Sequence, residues 1–123
     1  MTTGIIVFAH GSRIESANEA VRSVAAEFAR AGGYSAVEAA FLELGHPSLE
    51  EAADLLSGRG IQHIVVIPYF LTPGLHLERD LPRLVSNISN KNSALRITVT
   101  APLDGHPGLV DILKARAAEA LVE

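Results

Sequence analysis

Gly4-Ile-Ile-Val-Phe-Ala9, followed without a break by His10-Gly-Ser-Arg13, is the stretch on which the fold turns. Its apolar run is nearly continuous and rich in β-branched residues, the pattern of a strand covered on both faces. The run stops at a polar, glycine-containing turn that opens a helical pattern. A second run of the same kind is Ile61-Gln-His-Ile-Val-Val-Ile-Pro68. Two weaker runs, Ala36–Phe41 and Leu95–Thr100, complete a set of four.

Helical patterns separate them. Glu15–Ala31 carries a stripe of Ala17, Ala20, Val21, Val24, Ala25 and Phe28, and Gly32-Gly33 ends it. Pro47–Leu56 opens with proline in its first turn and has Glu50 and Glu51 near that end. Leu77–Ile88 spaces Leu81, Leu84, Val85 and Ile88 at helical intervals, which puts Pro82 in its first turn or two. Pro107–Leu121 is the last. Strict alternation predicts an α/β fold: a three-layer α/β/α domain with a four-stranded parallel sheet in the order 2-1-3-4, built by right-handed crossovers. Nothing reads as a linker or low-complexity tract, so residues 1–123 are expected to form one domain.

Composition narrows the function. The chain has no cysteine, which excludes disulfides and thiolate metal sites and fits a reducing cytoplasm. Its net charge is −4 and its basic residues are scattered, so no nucleic-acid partner is expected. The apolar run near the start, Ile5–Ala9, is too short for a membrane span and has no basic flank, so neither a signal peptide nor a membrane association is expected.

Sheets of this kind bind ligands beyond the carboxyl ends of the strands, where strand order reverses. His10 follows the first run, Glu43 the second, Pro68 to His76 the third, and Asp104 and His106 the fourth. Two imidazoles and a carboxylate beside one crevice suit a divalent cation with nitrogen and oxygen ligands. Gly11 would let the backbone approach a ligand closely, and Ser12 would cap the following helix, whose N-terminus favours an anion. His63 lies inside a strand pattern and reads as an edge or packed residue, while His46 and His106 each precede a proline and read as turn residues. The likeness of Glu43-Leu-Gly-His-Pro-Ser-Leu49 to Leu103-Asp-Gly-His-Pro-Gly-Leu109 reads as one turn solution used twice. A serine-hydrolase reading of Ser12 lacks the G-x-S-x-G elbow, and a nucleotide reading lacks both G-x-G-x-x-G and a P-loop.

His10-Gly-Ser-Arg13, Phe41-Leu-Glu43 with Pro47, and Pro68-Tyr-Phe-Leu-Thr-Pro-Gly-Leu-His76 with Asp80-Leu-Pro82, in that order, resemble the class II tetrapyrrole chelatases. The match is to the small sirohydrochlorin cobaltochelatase and ferrochelatase group. Pro102-Leu-Asp-Gly-His-Pro107 also matches, with Asp104 where a glycine is more usual. The resemblance implies insertion of a divalent metal, cobalt or iron and also nickel, into a sirohydrochlorin-type tetrapyrrole, with no cofactor beyond the substrate metal. It assigns metal and proton transfer to His10 and His76, with Glu43 as a supporting carboxylate. It implies a homodimer whose two copies enclose the macrocycle. Arg13 and Arg79, with Ser12 and the helix N-termini, are the candidates to hold the substrate's carboxylates. The competing reading is a noncatalytic metal or tetrapyrrole carrier that uses the same pocket.

Overall fold

A computed structural model describes residues 3–72 and 74–121, with the backbone alone of Leu75 and His76. Four strands alternate with four helices: β1 Thr3–Ala9, α1 Glu15–Gly32, β2 Val37–Phe41, α2 Leu49–Gly58, β3 His63–Pro68, α3 Leu75–Lys91, β4 Arg96–Val99 and α4 Gly108–Ala120. All strand pairs are parallel and the order is β2-β1-β3-β4, as the alternation predicts. Ile5 stands between Val37 and Val65 in the register, and Phe8 between Ala40 and Pro68.

Two apolar clusters hold the layers together. On one face Ile6, Phe8, Ala40, Ile64 and Val66 meet Leu49, Ala52, Ala53 and Leu56 of α2 and Leu77, Leu81 and Ile88 of α3. On the other, Val7, Ala9, Ala39 and Phe41 meet Ala25, Val21 and Phe28 of α1. The helices therefore lie on both sides of the sheet. The second face is covered unevenly. Along β3, Ile64, Val66 and Pro68 are buried, while His63, Val65 and Ile67 on the α1 side are only half-buried. Helix α4 buries none of its residues.

Several boundaries differ from the sequence expectations, each for a local reason. The inward stripe of α1 runs through Asn18, Val21, Ala25 and Phe28, while Ala17, Ala20 and Val24 are exposed. Helix α2 starts after Pro47, which follows a cis peptide bond from His46. Ser48 is its N-cap: the Ser48 hydroxyl accepts from the Glu51 amide at 3.1 Å, and the Glu51 carboxylate accepts from the Ser48 amide at 2.8 Å. This reciprocal capping box fixes the start better than proline at the first position would. Helix α3 begins at Leu75, so Pro82 lies in its interior as the eighth residue, on the solvent side. There the missing amide bond falls on the face where water can satisfy the freed carbonyl. Pro107 is the N-cap of α4 rather than its first residue. The two Gly-His-Pro turns are not one solution: Leu44 takes the left-handed conformation in the first (φ 58°) and Gly105 in the second (φ 78°).

Candidate active site

The strand ends gather the predicted residues as the topology requires. His10 is the residue after β1 and Glu43 stands two residues beyond β2. Between them the β1–β2 ladder continues past the strands: the Leu42 amide donates to the Ala9 carbonyl at 2.9 Å, and the Glu43 amide to the His10 carbonyl at 3.0 Å. Their side chains meet at 3.7 Å, His10 Nε2 to Glu43 Oε1, with each more than half exposed. His10 Nδ1 lies 3.1 Å from the Gly11 carbonyl. A carbonyl only accepts, so a hydrogen bond in that contact needs the hydrogen on Nδ1, and Nε2 is the ring atom that faces Glu43. A separation of 3.7 Å exceeds a good hydrogen bond. One divalent ion fits between them with bonds of about 2.0–2.2 Å if their angle at the ion is wider than tetrahedral.

Gly11 is required here by the neighbouring turn. Its φ is +95°, and a Cβ at this position would fall 1.7 Å from the carbonyl oxygen of Glu43. The chain's own Glu43 backbone makes this close approach. Ser12 does not cap α1, whose N-cap is Ile14 without a side-chain bond. Its hydroxyl accepts instead from the Ile14 amide at 3.1 Å, two residues on, a local turn that comes before the helix begins. Arg13 lies exposed in the same turn.

A family model described as CbiX matches residues 4–120. The chain belongs to the CbiX family. Among curated relatives, the sirohydrochlorin cobaltochelatase of Sulfolobus acidocaldarius is 36% identical over 96% of this chain and 92% of its own length. That of Methanosarcina barkeri is 34% identical over 96% of each chain. The chloroplastic sirohydrochlorin ferrochelatase of Arabidopsis thaliana is 36% identical over 96% of this chain, which spans only 52% of that relative. Among solved structures, a putative cobalamin biosynthesis CbiX protein of Marinobacter aquaeolei superposes with a TM-score of 0.86 at 26% identity, covering 97% of both chains. SirB of Bacillus subtilis with Fe3+ superposes with a TM-score of 0.85 at 25% identity, covering all of this chain and 49% of SirB.

In this CbiX-family chain the other predicted residues sit as follows. His76 is the second residue of α3, at the carboxyl edge of β3; its side chain lies outside the described residues. Arg79 is exposed one turn further along α3. His63 stands at the opposite end of the sheet, half-buried, with Nε2 2.8 Å from the Thr98 hydroxyl. His46 pairs with Glu51 at 3.3 Å, and His106 Nδ1 accepts from the Gly108 amide at 2.9 Å, so both serve their turns. Among the described residues no group of three or more histidines and carboxylates gathers around one point.

Two residues escaped the sequence reading. Arg22 donates to Glu15 at 2.6 Å, to Glu19 at 2.8 Å and to the His46 carbonyl at 2.9 Å, and stacks over the Phe41 ring. The Arg22 guanidinium, helped by the Asn18 amide, holds the Glu15 carboxyl below its ordinary value. With Glu43, the Glu15, Arg22 and Phe41 side chains line an open cleft of about 520 Å³ beside the site. The other is Asn18, the one buried polar side chain among the described residues. Its signal was legible: a carboxamide at a position where the helical stripe calls for an apolar residue.

Proposed function

We propose that this protein inserts a divalent metal, cobalt or iron, into sirohydrochlorin as a chelatase of tetrapyrrole biosynthesis, leading to sirohaem or cobalamin. The observation that carries the reading is the His10–Glu43 pair, 3.7 Å apart at the strand ends of a chain in this family. Metal insertion requires the ion to shed water, the pyrrole N–H protons to leave, and the new bonds to form from one face. His10 Nε2 presents the metal and then accepts a released proton; a neutral imidazole suits cobalt, iron and nickel alike. Glu43 neutralises part of the ion's charge and offers a second proton acceptor. His76 acts with His10 from the start of α3. Arg13 and Arg79, with Ser12 beside Arg13, hold the carboxylates of the substrate. The substrate metal is the only ion required, and no further cofactor enters.

The working unit in this reading is a homodimer. The chain spans about half of SirB and of the Arabidopsis relative. A lone sheet edge is too open to bury a broad macrocycle, and pockets bury most of their ligand. Leu71, Ile112 and Leu113 are exposed and line one cleft, and give a second copy apolar surface to cover. No helix among the described residues is long and apolar enough to cross a membrane. We place the protein in the cytoplasm, in keeping with its lack of cysteine.

An anaerobic assay with sirohydrochlorin and, separately, Co2+, Fe2+ and Ni2+ tests the activity through the absorbance change of the macrocycle. Many products per chain are expected. One product per chain would show a carrier, and none would overturn the reading. Light scattering at working concentration tests the assembly; a fully active monomer would overturn that part.

A further inference from the structure

We infer that Asn18 is the positioning residue of the His10–Glu43 pair: its buried carboxamide fastens the turn after β1 to the turn after β2. The inference rests on the reading of that pair as the metal site. Asn18 is 1% exposed, at the start of the inward stripe of α1. Its Oδ1 accepts from the Ser12 amide at 2.9 Å, while Nδ2 donates to the Ser12 carbonyl at 2.9 Å and to the Leu44 carbonyl at 2.9 Å, with a longer contact to Glu15 at 3.4 Å. Ser12 is two residues from His10, and Leu44 is next to Glu43. One planar group therefore grips both turns.

The fit is specific to a carboxamide. The site asks for an acceptor toward Ser12 N–H and two donors toward two carbonyls, and among the side chains only an amide supplies both from one plane. The space is set to match: a Cβ at Gly45 would meet Asn18 Nδ2 at 3.0 Å. Leu44 accepts a left-handed backbone, φ 58°, in the turn whose carbonyl receives that bond. An aspartate at position 18 would keep the contact to Ser12 N–H but turn an oxygen on the two carbonyls, which frees the Glu43 turn and leaves the packing volume unchanged. A shift of about 1 Å in a reacting group can cost on the order of 10²-fold in rate.

The test compares Co2+ affinity of the native chain, Asn18→Asp, Glu43→Gln, the double variant and His10→Ala, all at a temperature where circular dichroism shows each folded. Asn18→Asp is expected to lose about tenfold or more in affinity, and Glu43→Gln to add little further loss in that background. A merely structural asparagine would leave the Glu43→Gln loss intact in the folded variant. Unchanged affinity in folded Asn18→Asp, or a full Glu43→Gln loss on top of it, overturns the inference. If Asn18→Asp does not fold, Asn18→Ser takes its place with the same expectations. If His10→Ala and Glu43→Gln leave Co2+ affinity unchanged, the metal reading itself falls. Hydrogen exchange of the Glu43 amide, which bonds the His10 carbonyl, then decides for Asn18: exchange about tenfold or more faster in Asn18→Asp supports the fastening, and unchanged exchange overturns it.

Discussion

The two halves of the carboxyl edge are built differently. Beyond β1 and β2 the backbone ladder continues, Gly11 lies against the Glu43 carbonyl, and Asn18 is sealed beneath both turns by α1. Beyond β3 and β4 the α1-side face is half-open and α4 buries nothing. Leu109, Ile112 and Leu113 of α4 stand across a cleft of about 440 Å³ from Tyr69, Leu71 and Leu103. One half is organised before anything binds. The other presents exposed apolar surface. A site that assembles a metal with a macrocycle needs both: a fixed donor set for the small ion and an adaptable wall for the large ligand.

The largest effect should come from removing a donor in the organised half. His10→Ala is expected to lose about 10²- to 10⁴-fold in the insertion rate, the range of a positioned proton-transfer group, with the fold intact by circular dichroism. His63→Ala, at the opposite end of the sheet, should keep the native rate. Equal rates in both variants would erase the distinction between the ends of the sheet.

Next is Gly11→Ala. Its positive φ costs a side chain about 1–2 kcal/mol, and the overlap with the Glu43 carbonyl adds to that, so urea denaturation should show a loss of at least about 2 kcal/mol. A neutral substitution would mean that the two turns are not in contact in solution.

These positions also show how far the sequence could be read. The strands were legible because β1 and β3 are apolar on both faces, and the order is the flavodoxin-like one chosen for four alternating strands. His10 and Glu43 were legible as strand-end residues, since topology brings such residues together whatever their separation in sequence. Gly11 was legible as a place of close approach, but sequence cannot say that the Glu43 backbone is what lies against it. Asn18 was passed over because periodicity counts apolar positions and gives no weight to a polar residue on the same stripe. The start of α2 was misplaced because Pro47 was weighed above the Ser-Leu-Glu-Glu signature that begins at Ser48.

That start supplies a smaller test. Ser48→Ala should cost about 1 kcal/mol, read by thermal or urea unfolding. The Ser48 backbone amide, then the His46 ring, hold the Glu51 carboxyl below its ordinary value. A carboxyl with a lowered folded pKa stabilises fully above the unfolded value, near pH 4.5 here, and the gain is lost as pH falls through the lower folded value. Glu51→Ala should therefore flatten part of the acid limb of the stability profile and change its slope little near neutrality. An unaltered acid limb would remove Glu51 from the cap.

The smallest effect is expected in the open half. Leu113 is 69% exposed, so Leu113→Ala in the isolated monomer should change stability by no more than about 0.5 kcal/mol. Leu56→Ala, at a fully buried position of α2, should cost about 2–5 kcal/mol. A Leu113→Ala loss that grows with protein concentration would show a second copy seated on α4.

The continuation of the β1–β2 ladder to the His10 carbonyl has a consequence for any ion held as proposed by His10 and Glu43. The two side chains stand on a ruler whose marks are backbone hydrogen bonds. Ions of different radius must be accommodated by rotation about a few side-chain bonds, because the backbone beneath them does not breathe. A scaffold of that stiffness favours the ion whose size suits the spacing it sets. On the proposed function, the metal the cell supplies acts on top of that preference, and a host with a different supply is expected to change the product, read by the absorbance of the macrocycle formed.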